Sequence, residues 1–128
     1  MICPFEKRYN DEHDICCFMN FHEKETIKDL EKHLDRELQI ALGKGCFTFI
    51  TGTKYPEDTV FIERVINAFR PYPKGEVRLI CIAPKSSGYE NPNAVCVKYI
   101  DDENYDEELR KLFIILPDWE IYSYFVEY

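Results

Sequence analysis

Short apolar runs alternate with amphipathic stretches along this chain, and proline and glycine punctuate the boundaries. The first run, Ile15-Cys16-Cys17-Phe18-Met19 within the segment Asp14 to Met19, is apolar at every position and flanked by charge. Such a run fits a strand covered on both faces, as in a parallel sheet. From Thr26 to Leu42, Ile27, Leu30, Leu34, Leu38 and Ala41 recur at helical spacing, with Lys28, Glu31, Lys32, Asp35 and Arg36 on the other side. That spacing predicts an amphipathic helix. Thr26 with Asp29 reads as its capping box, and Gly43 or Gly45 as its left-handed C-terminal cap.

Cys46 to Thr51 predicts the second strand. Pro56 suits the first position of a second helix, whose apolar face is Val60, Phe61, Ile62, Val65, Ile66 and Phe69, and Pro71, Pro73 and Gly75 end it. Val77 to Ala83 is the third strand, and Ala94 to Ile100 a fourth and more exposed one. Asp106 to Lys111 reads as a short helix leading into a fifth strand, Leu112 to Leu116, while the aromatic stretch Trp119 to Tyr128 fits helix or strand. The order β-α-β-α-β-β-α-β predicts an α/β, Rossmann-like fold: a mostly parallel sheet of about five strands with helices on both faces. A length of 128 residues without repeat or linker fits one domain over residues 1–128.

Charge narrows the partners. Sixteen basic against 24 acidic residues give a net charge of −8, which argues against direct nucleic-acid binding, since phosphate neutralisation needs a concentrated basic face. The acidic run Asp101-Asp102-Glu103-Asn104-Tyr105-Asp106-Glu107-Glu108 reads as a solvated turn and helix start, with a docking patch for a basic partner as the alternative. Cysteines at 3, 16, 17, 46, 81 and 96 show neither Cys-x-x-Cys nor zinc spacing with His13, His22 or His33, so no metal is expected. Most sit in apolar runs as small hydrophobes, and with no leader or membrane-length apolar run the expected place is the cytoplasm, away from membrane.

In open α/β sheets ligands gather beyond the carboxyl ends of the strands. The candidate loops are therefore Asn20 to His22, Thr51 to Lys54, Pro84 to Ser87 and Pro117 to Trp119. The second of these, strand then Thr51-Gly52-Thr53-Lys54 then a helix start, has the form of a phosphate cradle. It holds one glycine only, Pro56 removes a donor, and Glu57 and Asp58 place carboxylates where a phosphate would sit. A capped helix start is the simpler reading of these residues, with Thr51, Thr53 and Lys54 as donors in the ligand-binding alternative. His22 is a surface histidine or, alternatively, a hydrogen-bond donor or general acid/base at the crevice; Glu63 and Ser86 complete the candidate set. No Gly-x-Ser-x-Gly or Cys-His arrangement marks a nucleophile.

The segments "ICCFMNFHEKE", "GCFTFITGTKYPEDTVFIERVI" and "EVRLICIAP" resemble the SLOG superfamily, in its YpsA-like branch of small Rossmann-like proteins. Cys16, Cys17 and Phe18 match the branch's first strand. Phe49, Ile50 and Gly52 match its second, Thr51 replaces a serine, Asp58 and Glu63 stand in register, and Pro84 follows the third strand. The turns depart from the pattern: Asn20-Phe21 precede His22, Glu23-Lys24 replace Arg-Pro, and Thr53 and Pro56 replace two glycines. The resemblance implies a site for a nucleotide or nucleotide-derived small molecule at Asn20, His22, Thr51, Gly52, Thr53, Lys54, Asp58, Glu63 and Ser86. The Pro-Gly-Gly-x-Gly-Thr motif of the hydrolase branch is missing, so the expectation leans away from an enzyme and names no cofactor.

Two functions follow as expectations. One is a non-catalytic module binding a nucleotide-like small ligand at the sheet's C-terminal rim. The other is a protein-interaction module, an inhibitor or adaptor from a phage or mobile element such as an anti-defence protein. Its acidic, aromatic surface would meet a protein partner through the tail "WEIYSYFVEY", with Tyr122, Tyr124 and Tyr128 as contacts. Homo-oligomerisation stays open.

Overall fold

The computed structural model describes residues 15–73 and 75–126; Cys3, His13, Asp14 and Tyr128 lie outside them. Five strands form one sheet in the order β4-β3-β2-β1-β5, and every pairing is parallel. They are β1 (Ile15–Met19), β2 (Thr48–Gly52), β3 (Arg78–Pro84), β4 (Cys96–Ile100) and β5 (Trp119–Tyr122). The helices are α1 (Leu30–Gly43), α2 (Pro56–Phe69) and α3 (Tyr105–Ile115), with a short 3-10 turn at Lys85–Ser87. The Rossmann-like α/β arrangement expected from the pattern is therefore present.

Alternation along the strands sorts the core into two layers. Cys16, Phe18, Phe49, Leu79, Cys81 and Ile121 pack with Leu34, Leu38, Phe61 and Val65 of α1 and α2. Ile15, Cys17, Met19, Ile50, Ile80 and Ile82 pack with Tyr105 and Phe113 of α3. Successive strand residues point to opposite faces, so an all-apolar strand such as β1 requires helices on both sides.

Three local expectations change. Leu112 to Leu116 is not a strand but the end of α3. Tyr105, Leu109, Leu112, Phe113 and Leu116 fall on one helical stripe against the sheet, whereas Ile114 and Ile115 are each 79% exposed. An apolar run of this length carries either period, and the stripe extending back to Tyr105 decides for the helix. The fifth strand is instead Trp119–Tyr122. Pro117 to Trp119 accordingly leads into β5, and the Asp118 amide donates to the Ile15 carbonyl at the start of β1. That loop lies at the amino end of the sheet, not at the rim expected for a ligand.

The Thr26–Asp29 capping box is also absent. Thr26 bridges Tyr124 and the Ile27 amide donates to the Ser123 carbonyl, so this segment pairs with the tail and α1 starts only at Leu30. At the other end the expected glycine cap is present. Gly45 has φ +90°, its amide donates to Leu42 O, and the Cys46 amide donates to Ala41 O. These two bonds are the Schellman arrangement.

Candidate functional site at the carboxyl rim

The chain order places β5 on the far side of β1 from β2, so the sheet reverses its winding between β1 and β5. Open α/β sheets offer their crevice at such a reversal. Here the space beyond β1 and β5 is filled from within. The Phe21 and Tyr124 rings stack at 5.0 Å. The Lys24 ammonium lies 5.1 Å from the Tyr124 ring centre, and the Arg110 guanidinium 4.9 Å from that of Phe21. Arg110 also pairs with Glu23.

The β2–α2 turn explains its single glycine. A Cβ at Gly52 would lie 2.6 Å from the Tyr105 hydroxyl oxygen and 3.0 Å from a Leu109 methyl. The close approach that requires glycine is thus to α3. The Tyr105 hydroxyl accepts from the Thr53 amide at 3.0 Å and donates to the Ile82 carbonyl at 2.7 Å. It ties β2, β3 and α3 together at the rim.

Asp58, the third residue of α2, occupies the helix N-terminus from inside. One carboxylate oxygen accepts from the Tyr55 amide at 3.1 Å, and the other from the Asn20 side-chain amide at 3.0 Å. The aspartate completes half of a capping box that serine or threonine would normally begin, while its own amide donates back to the Tyr55 carbonyl. It is only 3% exposed. Burial is the main cause that lifts its pKa from 3.8 to about 6; the Asn20 and Tyr55 hydrogen bonds oppose the rise and neighbouring Glu57 adds to it. Two amides of this turn, those of Thr53 and Tyr55, are thus engaged by Tyr105 and Asp58.

The other candidate residues divide around this core. Asn20, His22, Gly52 and Asp58 line one cleft with Phe18, Tyr55 and Asp106. The His22 ring stacks on Tyr55 at 4.3 Å, with Nδ1 at 3.4 Å from Glu57. The cleft encloses about 20 Å³, room for about one water molecule. Thr53 meets the Ile82 carbonyl through its hydroxyl, and Lys54 pairs with Asp106 at 3.5 Å. Thr51 is buried inside β2, with its hydroxyl on the Gly52 carbonyl. Glu63 lies on the exposed side of α2 and Ser86 on the 3-10 turn; neither lines the cleft. Ser86 directs both its amide and its hydroxyl to Asp102.

Sequence reading missed the roles of Tyr105, Ser123 and Arg110, and took Tyr124 for a surface contact where it is buried against Phe21. Tyr105 sits in an acidic run that reads as solvated helix start, and nothing local announces that its ring turns inward. Tyr124 and Ser123 follow from the placement of β5. Burial raises the thiols of Cys16, Cys17 and Cys81 well above their ordinary value, which removes them as ready nucleophiles. Among the described residues no cluster of His, Cys, Asp and Glu fits a metal ion, and no helix is long and apolar enough to cross a membrane.

Larger hollows flank the tail. One of about 610 Å³ is lined by Lys24, Glu25, Tyr122, Tyr124, Phe125 and Val126, and Phe125 is 55% exposed. Comparison with protein-family models, curated proteins and solved structures returns no match, so the chemistry of this rim is read from its own residues.

Proposed function

We propose that this chain is a protein-interaction module whose carboxyl rim and tail receive a basic partner segment. The observation that carries this reading is the internal occupation of the anion-binding turn: Asp58 and Tyr105 engage the Tyr55 and Thr53 amides. What faces outward around it is acidic and aromatic. Asp101, Asp102, Glu103, Glu107 and Glu108 are exposed, and Lys54, Lys85, Arg110 and Lys111 each already lie against a carboxylate. Phe125, which is 55% exposed, and the half-buried Tyr122 supply aromatic surface at the tail. A net charge of −8 would steer a basic partner towards it. An inhibitor or adaptor, including an anti-defence protein, is a role within this class.

A nucleotide-like ligand is the second reading, favoured by the His22–Tyr55 stack, which offers an aromatic face beside the cleft. It requires the ligand's phosphate to displace the Asp58 carboxylate. One experiment separates the two. Fluorescence anisotropy with lysine- and arginine-rich peptides is expected to give saturable binding that weakens with salt and with Phe125→Ala. Absence of binding, together with a rise in melting temperature on adding a millimolar nucleoside monophosphate, would replace the first reading by the second.

A further inference from the structure

Asp58, Asn20 and Ser123 form a chain of side chains linking the β2–α2 turn, the end of β1 and the segment after β5. The Ser123 hydroxyl donates to Asn20 Oδ1 at 3.0 Å, and Asn20 Nδ2 donates to Asp58 Oδ1 at 3.0 Å. A second acceptor, the Met19 carbonyl, lies 3.5 Å from the Ser123 hydroxyl. A hydroxyl carries one hydrogen, and a primary amide exchanges its donor and acceptor ends by turning half a revolution. The direction of this chain is therefore set by its one titratable member.

We propose that the chain is a reversible relay: a proton taken up by Asp58 turns the Asn20 amide over and transfers the Ser123 hydroxyl from Asn20 to the Met19 carbonyl. With Asp58 ionised, the donors run Ser123 to Asn20 to Asp58. With Asp58 neutral, its O–H donates to Asn20 Oδ1, Asn20 Nδ2 donates to the Ser123 oxygen, and the Ser123 hydrogen moves to Met19 O. One proton comes from solvent and no covalent bond within the chain breaks. Every group keeps a partner in both states, as buried polar groups must. The Met19 carbonyl already accepts from the Ser123 amide at 3.1 Å, and its second lone pair receives the hydroxyl. The relay thus passes the protonation state of the turn to the segment 123–125, which holds residues 25–27 through the Ile27 and Phe125 amides.

The surroundings favour titration in a mild range. Glu57 on α2 raises the affinity of Asp58 for a proton. Tyr105, Asp106 and Arg110 face it from α3, His22 and Glu23 from the loop after β1, and Lys54 from its own turn. Cys81 on β3 and Tyr89 beyond it feel its charge. Among the described residues no Lys, Arg or His forms an ion pair with Asp58.

Carbon- and nitrogen-labelled protein followed by NMR from pH 8 to 4.5 tests the relay. The Asp58 carboxyl carbon and the Asn20 side-chain amide are expected to move together with one midpoint about 6. Asp58→Asn should abolish the Asn20 response, and His22→Gln should leave it in place. An Asp58 midpoint in the ordinary carboxylate range, an Asn20 amide that does not follow it, or a response lost in His22→Gln would each overturn the proposal.

Discussion

Two loops at the same rim solve the same problem with the same group, and the pKa of that group is shifted in opposite directions. After β2, the Asp58 carboxylate receives the Tyr55 amide; after β3, the Asp102 carboxylate receives the Ser86 amide at 3.0 Å and the Ser86 hydroxyl. Burial drives the pKa of Asp58 up to about 6. Asp102 is open to water, and the Ser86 hydrogen bonds pull its pKa below the usual carboxylate value. Hydrogen-bond geometry alone therefore does not decide which form of a carboxyl is favoured; access to water does. One loop is a helix start capped by a buried carboxylate, the other a surface staple.

The largest test of the buried side is Gly52→Ala. A methyl 2.6 Å from the Tyr105 hydroxyl must displace that ring, and the expected loss is about 2–3 kcal/mol in urea unfolding. Repeating the change in a Tyr105→Phe background should cost less, because the obstructing oxygen is gone. Equal costs in both backgrounds would show that the hydroxyl is not what the glycine accommodates.

Asp58→Asn comes next. The folded pKa of about 6 lies above the ordinary value of 3.8, so the folded state holds a proton that the unfolded chain has released. Stability from this group is present below about pH 4 and falls as pH rises through 6. At pH 7.5 the amide avoids burying a charge, and a gain of about 1–2 kcal/mol is expected. The gain should vanish by pH 4.5, as followed by melting temperature.

The smallest effect belongs to Asp102→Asn. Its lowered pKa has the opposite sign: it adds stability above the ordinary carboxylate value, lost as pH falls through the folded pKa. With full exposure the change in melting temperature should lie within the scatter of surface substitutions at pH 7.5. A loss as large as that of Gly52→Ala would undo the contrast between the two loops.

Much of the frame was legible from pattern. The all-apolar run at Ile15–Met19, the helical spacing of Leu30, Leu34 and Leu38, Pro56 at a helix start and Gly45 after a helix end are local signals, and local geometry obeys them. Leu112 to Leu116 misled because five consecutive apolar residues satisfy a strand and a helix alike; only the inward ring of Tyr105, seven residues earlier, settles the period. The site was harder to read. Thr51, Gly52, Thr53 and Lys54 were placed at the correct rim, yet the reason for Gly52 lies 53 residues away in Tyr105. Contacts across that separation leave no mark in the neighbourhood of either residue.

The Thr53 and Tyr55 amides of the β2–α2 turn are engaged by the protein's own oxygen atoms. Titrating nitrogen-labelled protein with inorganic phosphate and a nucleoside monophosphate, while following the Thr53 and Tyr55 amide resonances, tests this directly. No saturable shift is expected at either amide up to millimolar ligand at pH 7.5. A saturable shift of both with either compound would contradict that engagement and would restore the turn as a phosphate site.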